Sequence, residues 1–339
     1  MNARYLVRQT LQAILTLAMI VLLNFILFRM MPGSPDRVNP RNPNITAEQR
    51  EALAARFGLD KPVLPVTIST DPPSIEVSME NQLFAYLETT LQGDLGYSIF
   101  YQGEPVIEVI GDRFWPTILL IGLAEVIAII LGLALGAYTG WKRGSIGDRT
   151  GNGFSLILYS MPYFVIGMPM IMIFAAGLGW FPTSGMLTAG ATYDGPIEFL
   201  ADLIPHLVLP LAAISLGLIG GYSILMRASI TETRAEDYIG TARAKGLADA
   251  LILRRHAFPN ALLPAVTLIA INLGYVVGGA VTAEIVFNWP GLGTLTVDAI
   301  GSLDYPVIQG VFLFLSVSVV LANFAADIIY GFLDPRVRT

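Results

Sequence analysis

The stretch QTLQAILTLAMIVLLNFILF, Gln9 to Phe28, decides the fold class: twenty residues without a charge, closed by Arg8 before it and Arg29 after it. About 20 apolar residues are what a helix needs to cross roughly 30 Å of hydrocarbon. Arg29-Met30-Met31-Pro32-Gly33 follows, with no small-residue cleavage site, so the stretch reads as a retained first membrane helix and not a removed leader. The whole composition agrees. Of 339 residues, 54% are hydrophobic and only 14% charged, where a soluble domain carries about 25% charged residues. Seventeen Phe, 13 Tyr and so few charges exclude disorder, collagen and coiled coil. Zero Cys excludes a disulfide framework, a thiolate metal site and a cysteine nucleophile. A net charge of -6 argues against nucleic acid as a partner.

Five further spans follow the first. The second runs from Phe114 to Trp141 and carries one acid, Glu125; the third runs from Phe154 to Leu178 with Pro162 and Pro169 inside it. Proline is tolerated in a span where neighbouring helices satisfy the freed carbonyls. The fourth covers Leu203 to Met226, the fifth Ala257 to Ala283 and the sixth Val307 to Ala326. Six helices put both termini on one side. The connections Gly179 to Asp202 and Asn288 to Asp304 contain no Lys or Arg, whereas Arg4, Arg8, Lys142, Arg143, Arg149, Arg227, Arg234, Arg243, Lys245, Arg254, Arg255, Arg336 and Arg338 fall on the other side. By the positive-inside rule the termini are cytoplasmic. The expected fold is therefore all-α and integral to the membrane.

Pro32 to Asp112 differs in kind, with five basic residues, 12 acidic ones and nine prolines in 81 residues. It is too long for a simple connection and too polar for lipid, so it reads as a small external domain. Within it, Ala47 to Phe57 and Gln82 to Leu91 read as short helices, the second ended by Gly93, and Pro62 to Pro73 as irregular. The organisation is then a cytoplasmic N-terminus and first helix (1–31), an external domain (32–112), a transmembrane core (113–331) with a long inner loop (227–259), and a cytoplasmic tail (332–339). The inner loop from Arg227 to His256 holds six Lys and Arg. Asp237 can cap a short helix running to Lys245, which Gly246 ends, with Tyr238, Ala242 and Lys245 on one face. A second amphipathic stretch, Ala248 to Leu253, follows. Such a loop is held either by anionic lipid or by a cytosolic partner.

At this loop the chain resembles a known family. Asp237 to Leu247, DYIGTARAKGL, is similar to the coupling loop of binding-protein-dependent ABC importer permeases. The general pattern there is Glu-Ala-Ala, three residues, Gly, nine residues, then Ile-x-Leu-Pro. Here Gly240-Thr241-Ala242 stand at the first positions, Gly246 at the glycine, and His256-Ala257-Phe258-Pro259 nine residues later. The departure from Glu-Ala-Ala is typical of the oligopeptide/dipeptide/nickel branch. Leu27 to Pro35 (LFRMMPGSP), Gly93 to Ser98 (GDLGYS), Phe114 to Leu119, Ser160 to Phe164 (SMPYF), Gly179 to Gly185 (GWFPTSG), Ala280 to Gly293 (AVTAEIVFNWPGLG), Asp304 to Gly310 (DYPVIQG) and Leu333 to Arg338 (LDPRVR) also resemble that branch. The chain is identified as similar to its B-type permease subunits.

The resemblance implies a six-helix permease of the type I ABC importer fold in a prokaryotic plasma membrane. It implies pairing with a homologous second permease, and two ATP-binding subunits or one fused ATPase, which bind the ATP and Mg. An external substrate-binding protein would deliver peptides; nickel complexes, glutathione or sugars are the alternative cargo. The chain lacks GxxxxGK[ST], so it is not the ATPase and is expected to hold no cofactor itself. By the motif, Asp237, Tyr238, Thr241, Ala242, Arg243, Lys245 and Gly246 are the coupling residues. Glu125 and Glu284, acids embedded in spans, and the Gly278-Gly279 pair are candidates for the substrate pathway. Trp289-Pro290-Gly291 reads as an interfacial anchor and turn, at a position that also fits a surface for the binding protein. Two His isolated in sequence offer no nickel site. A proton-coupled secondary transporter would usually show internal repeats and a midplane set of charges. An intramembrane protease would need facing aspartates or a serine with a histidine within the bilayer. Neither pattern is present.

Overall fold

The computed structural model describes residues 3–30, 61–62, 66–70, 73–77, 80–101, 103–276 and 281–333. The expected helix 47–57 and the pair Gly278-Gly279 lie outside these residues. In chain order the elements are α1 (Ala3–Met30), a hairpin of β1 (Val66–Thr70) and β2 (Pro73–Val77), α2 (Gln82–Leu91), α3 (Val106–Trp141), α4 (Ile146–Ser160) and α5 (Tyr163–Met170), which continues as a π-helical turn, Ile171–Gly177. Then come α6 (Pro196–Thr233), α7 (Asp237–Ala244), α8 (Asp249–Ile252) with a second π turn (Leu253–Ala257), α9 (Phe258–Val276), α10 (Val281–Val286), α11 (Leu292–Ser302) and α12 (Tyr305–Leu333). Five helices among the described residues are long and apolar enough to cross a membrane, and the bent pair 146–160 and 163–177 makes six if counted as one span.

The chain packs as two compact units. One comprises Met1–Val7, Phe114–Thr294 and Leu321–Thr339, the other Arg8–Arg113 and Leu295–Val320. In the first, α6 is the hub, packed against α4, α5, α9 and α10, with Tyr222, Met226 and Ile230 fully buried. In lipid, burial of apolar surface does not by itself drive helices together; close van der Waals packing does. The sequence supplies that contact with a stripe at spacing four on α3, Gly132, Gly136 and Gly140. A Cβ at these positions would lie 2.6 Å from Tyr222 Cβ, 2.4 Å from the Ser223 carbonyl oxygen and 2.8 Å from the Arg227 carbonyl oxygen. On the other flank of α6, Ser155 of α4 donates to Ser223 Oγ at 2.8 Å. At one end of this bundle Arg227 grips Asp148 through Nε at 2.7 Å and Nη2 at 3.1 Å, a bidentate pair.

In the second unit, α2 begins at Asn81, whose side chain accepts from Phe84 N. The Phe25 ring lies 5.5 Å from Tyr86 of this helix. Asp304 is buried at the start of α12 and gathers Ser98 Oγ at 2.5 Å, Ile99 N at 3.2 Å and Phe100 N at 2.9 Å. The described part of 32–112 thus packs with α1 and with the first part of α12.

Several expectations change. The third span is not one helix: its halves meet at 100°. Pro162 disfavours helical backbone at Met161, which sits extended at φ -97, ψ 123. Pro169, further on, lacks the donor of a helix interior and is followed by the π turn. Val66–Thr70 and Pro73–Val77 form an antiparallel hairpin in a region read as irregular through Pro73. The connection Asn288 to Asp304 contains helix α11, and Trp289 is no interfacial anchor: it is fully buried, with Nε1 donating to the Pro116 carbonyl at 2.9 Å. The second, fourth and sixth spans extend beyond their apolar cores, to Val106, Pro196 and Leu333.

Candidate functional site

The loop after α6 carries the motif residues. α7 starts at Asp237, and the capping position belongs to Glu236, whose side chain makes no capping bond, so Asp237 is the first helical residue and not the cap. Its carboxylate still favours the positive end of the helix dipole. The helix stops at Ala244, where Lys245 is the C-cap and Gly246 takes the left-handed conformation at φ +76. A residue without Cβ adopts that backbone at no steric cost. Gly246 N donates to the Arg243 carbonyl at 2.9 Å and Leu247 N to the Ala242 carbonyl at 3.3 Å, closing the helix end.

One face of α7 is fastened to the bundle. Ile239 and Ala242 are buried in the main apolar cluster. Beside them the Trp141 ring, itself buried, is flanked by two guanidiniums, Arg234 and Arg243, each 5.5 Å from the ring centroid. Arg234 also donates to the Trp141 carbonyl at 2.7 Å and the Gly140 carbonyl at 3.2 Å, at the carbonyl end of α3 where a cation is favoured. The other face is open: Asp237, Tyr238, Thr241, Lys245 and Gly246 are exposed. Partial burial and the Glu236 carboxylate push the Tyr238 phenol above its ordinary range. Ala242 therefore does not share a face with Tyr238 and Lys245, because spacings of three and four also admit the buried pair Ile239 and Ala242. Arg243 is divided: its guanidinium reaches the Trp141 ring of the anchor, and it also lies 3.7 Å from Asp249.

The bend between α4 and α5 leaves a cleft of about 890 Å³ in the same unit, walled by Tyr159, Met161, Tyr163, Tyr222, Asn272 and Thr282, among others. Glu125 is not on that wall. It is 2% exposed and accepts a hydrogen bond from Tyr222 Oη; Tyr222 in turn accepts from Asn272 Nδ2 at 2.9 Å. Glu125 thus stands one residue behind the cleft.

Glu284 has a different setting. It is fully buried and accepts from Thr117 Oγ1 at 2.9 Å, Gly293 N at 2.7 Å and Thr294 N at 3.1 Å. Thr117 Oγ1 also accepts from Leu292 N at 2.8 Å. The carboxylate and the hydroxyl together satisfy the free amides at the start of α11, so the geometry gives Glu284 a helix-capping task. Glu284→Ala leaves three donors without an acceptor at about 1–3 kcal/mol each, while Glu284→Gln keeps one carboxamide oxygen. Thermal unfolding of the purified variants should show a clearly larger fall in melting temperature for Ala than for Gln; equal falls would contradict the capping role.

Sequence reasoning missed Trp141, Arg234, Tyr222, Asn272 and Thr117, all reached through partners far along the chain. Only the glycine stripe 132/136/140 had a local signal, its spacing of four.

Comparison with known proteins fits this geometry. Residues 128–339 match the family model described as binding-protein-dependent transport system inner membrane component, and residues 2–121 match the N-terminal model of such membrane components. The chain belongs to this family and is the non-catalytic permease of a binding-protein-dependent importer. A Brucella ovis protein that bears the name of a peptide permease is 36% identical over 337 residues, 99% of each chain. The glutathione transport system permease protein GsiC of Escherichia coli strain CFT073 is 33% identical over 334 residues, 98% of each. Among solved structures, an inward-facing form of the MetNI methionine ABC transporter superposes with a TM-score of 0.54 at 21% identity, over 68% of this chain and 99% of that one. That likeness places the core in the type I ABC importer permease fold.

Proposed function

We propose that this chain forms half of the translocation pathway of an ATP-driven peptide importer in a prokaryotic plasma membrane, with both termini cytoplasmic. It pairs with a homologous second permease. An external binding protein delivers the peptide, and ATP-binding subunits, which hold the ATP and Mg, bind the open face of α7. The reading is carried by one observation: α7 is fastened on one side by Ile239, Ala242 and the Arg234–Trp141–Arg243 stack, and leaves Tyr238, Thr241, Lys245 and Gly246 exposed. A helix fastened on one side and exposed on the other transmits a push from a docked partner into the bundle, through α3 and α6. One bistable bundle is then biased by contacts at its two ends, ATP-bound subunits inside and loaded binding protein outside. Peptide as cargo draws support from the peptide-permease relatives. Glu125 contributes to the pathway from behind Tyr222; Gly278 and Gly279 belong to the same proposal, as residues that let backbone-like cargo pass close by. Glu284 supports the wall by capping α11.

Co-expression with the neighbouring genes and purification in lipid nanodiscs tests the assembly. The expected result is a complex with two ATP-binding subunits or one fused ATPase, whose hydrolysis rises when loaded binding protein is added. A chain that purifies alone or as a homo-oligomer, with no associated ATPase, would contradict it.

A further inference from the structure

The cleft at the α4–α5 bend has no charged side chain on its wall among the described residues. Its polarity comes from a short relay that starts behind the wall. Glu125 is 2% exposed and accepts the hydrogen bond of Tyr222 Oη. The Tyr222 proton is therefore committed to Glu125. With its proton spent, the Tyr222 oxygen can serve the next residue only as an acceptor, which forces Asn272 to turn its amide nitrogen toward it, at 2.9 Å. That fixes the orientation of the Asn272 amide by chemistry and leaves Oδ1, an acceptor, as the arm turned away from Tyr222. Tyr222 and Asn272 both line the cleft.

We infer that Asn272 Oδ1 is a specificity-determining contact for the amino-terminal ammonium of the transported peptide, with Tyr222 and Glu125 as positioning residues. The inference rests on the peptide reading above. Two features favour a cation over a neutral donor. Oδ1 offers a lone pair at a site with no competing charge on the wall. A hydrogen bond to a charged donor is also stronger than one to a neutral donor. An ammonium in the cleft is thus held by one direct, charge-assisted hydrogen bond, without an ion pair that it would have to break before leaving. For a pathway that must release its cargo, that combination is better suited than direct contact with a carboxylate.

The test uses the assembled importer in proteoliposomes, with the same wild-type binding protein in every arm, so that selectivity of the binding protein cancels. Uptake of tri-alanine and of N-acetyl-tri-alanine is measured for wild type, Asn272→Leu and Glu125→Gln. Loss of a hydrogen bond to a charged group should lower tri-alanine uptake about tenfold in Asn272→Leu. Glu125→Gln should lower it in the same direction, and N-acetyl-tri-alanine uptake should stay near its wild-type level in both. Retained uptake of the acetylated peptide shows that the variants are folded. Equal loss of both peptides, or no loss of either, would overturn the inference alone. Uptake of neither peptide by the wild-type importer would overturn the peptide reading and this inference with it.

Discussion

Gly136→Leu is expected to remove the chain from the membrane almost entirely. A Cβ at this position would lie 2.4 Å from the Ser223 carbonyl oxygen, 2.7 Å from Met226 Cβ and 3.0 Å from Arg227 N. Two of these three atoms are backbone and cannot rotate aside, so α3 and α6 must separate. Separation undoes the contacts of Gly132 and Gly140 as well, because the three lie on one stripe. Overpacking a well-packed site typically costs about 1–3 kcal/mol, and a clash with backbone along a whole helix pair belongs at or above the top of that range. Folded proteins hold only about 5–15 kcal/mol in reserve. Gly122→Leu, on the same helix but with open space around its Cβ position, is the control and should accumulate normally. Immunoblotting of membranes checks both; normal accumulation of Gly136→Leu would mean that the α3–α6 contact is not tight.

Gly246→Arg has the opposite signature: an intact bundle that no longer transports. A Cβ at Gly246 meets nothing within 4 Å, so the new side chain makes no clash within the chain. The backbone at φ +76 adds strain of about 1–3 kcal/mol, confined to the exposed end of a short helix. Outside the chain, a long cation now projects from the face that the ATP-binding subunit is proposed to cover. Losing about 1.4 kcal/mol of docking free energy or more would weaken the interaction at least about tenfold. Uptake should fall accordingly while the amount of protein in the membrane stays near wild type. Loss of the protein itself would assign Gly246 to folding instead.

The two variants also mark what sequence can and cannot convey. The end of α7 was legible because Gly246 acts through its own backbone, and α2 with its stop at Gly93 was legible for the same local reason. The membrane spans were legible from apolar length. Pro162 was visible too, yet a proline in a span does not announce a bend. The 100° turn depends on α6 offering Gly217 and Gly220, where Tyr163 and the Ser155 and Tyr159 backbone come within 2.6 Å of a Cβ position. Trp289 looked interfacial because aromatics next to Pro-Gly usually are, and the carbonyl that holds it belongs to Pro116, 173 residues earlier. Ala242 could not be assigned to the buried face until Trp141 and Ile239 were seen beside it. Glu125 was visible as an acid in a span, but its distance from the cleft wall is set by Tyr222, which carries no motif. In each case a property of one segment was readable and a property of two segments was not.

On the proposal above, the open face of α7 is where the ATP-binding subunit docks. The chain contains no cysteine, so any introduced thiol is unique in it. Single variants Thr241→Cys and Lys245→Cys on the exposed face, and Ala242→Cys on the buried face, can each be treated with a short thiol-reactive crosslinker in membranes containing the assembled importer. Crosslinks to the ATP-binding subunit are expected from positions 241 and 245, and none from 242. Absence of a crosslink from both exposed positions in an assembled, transporting complex would contradict it.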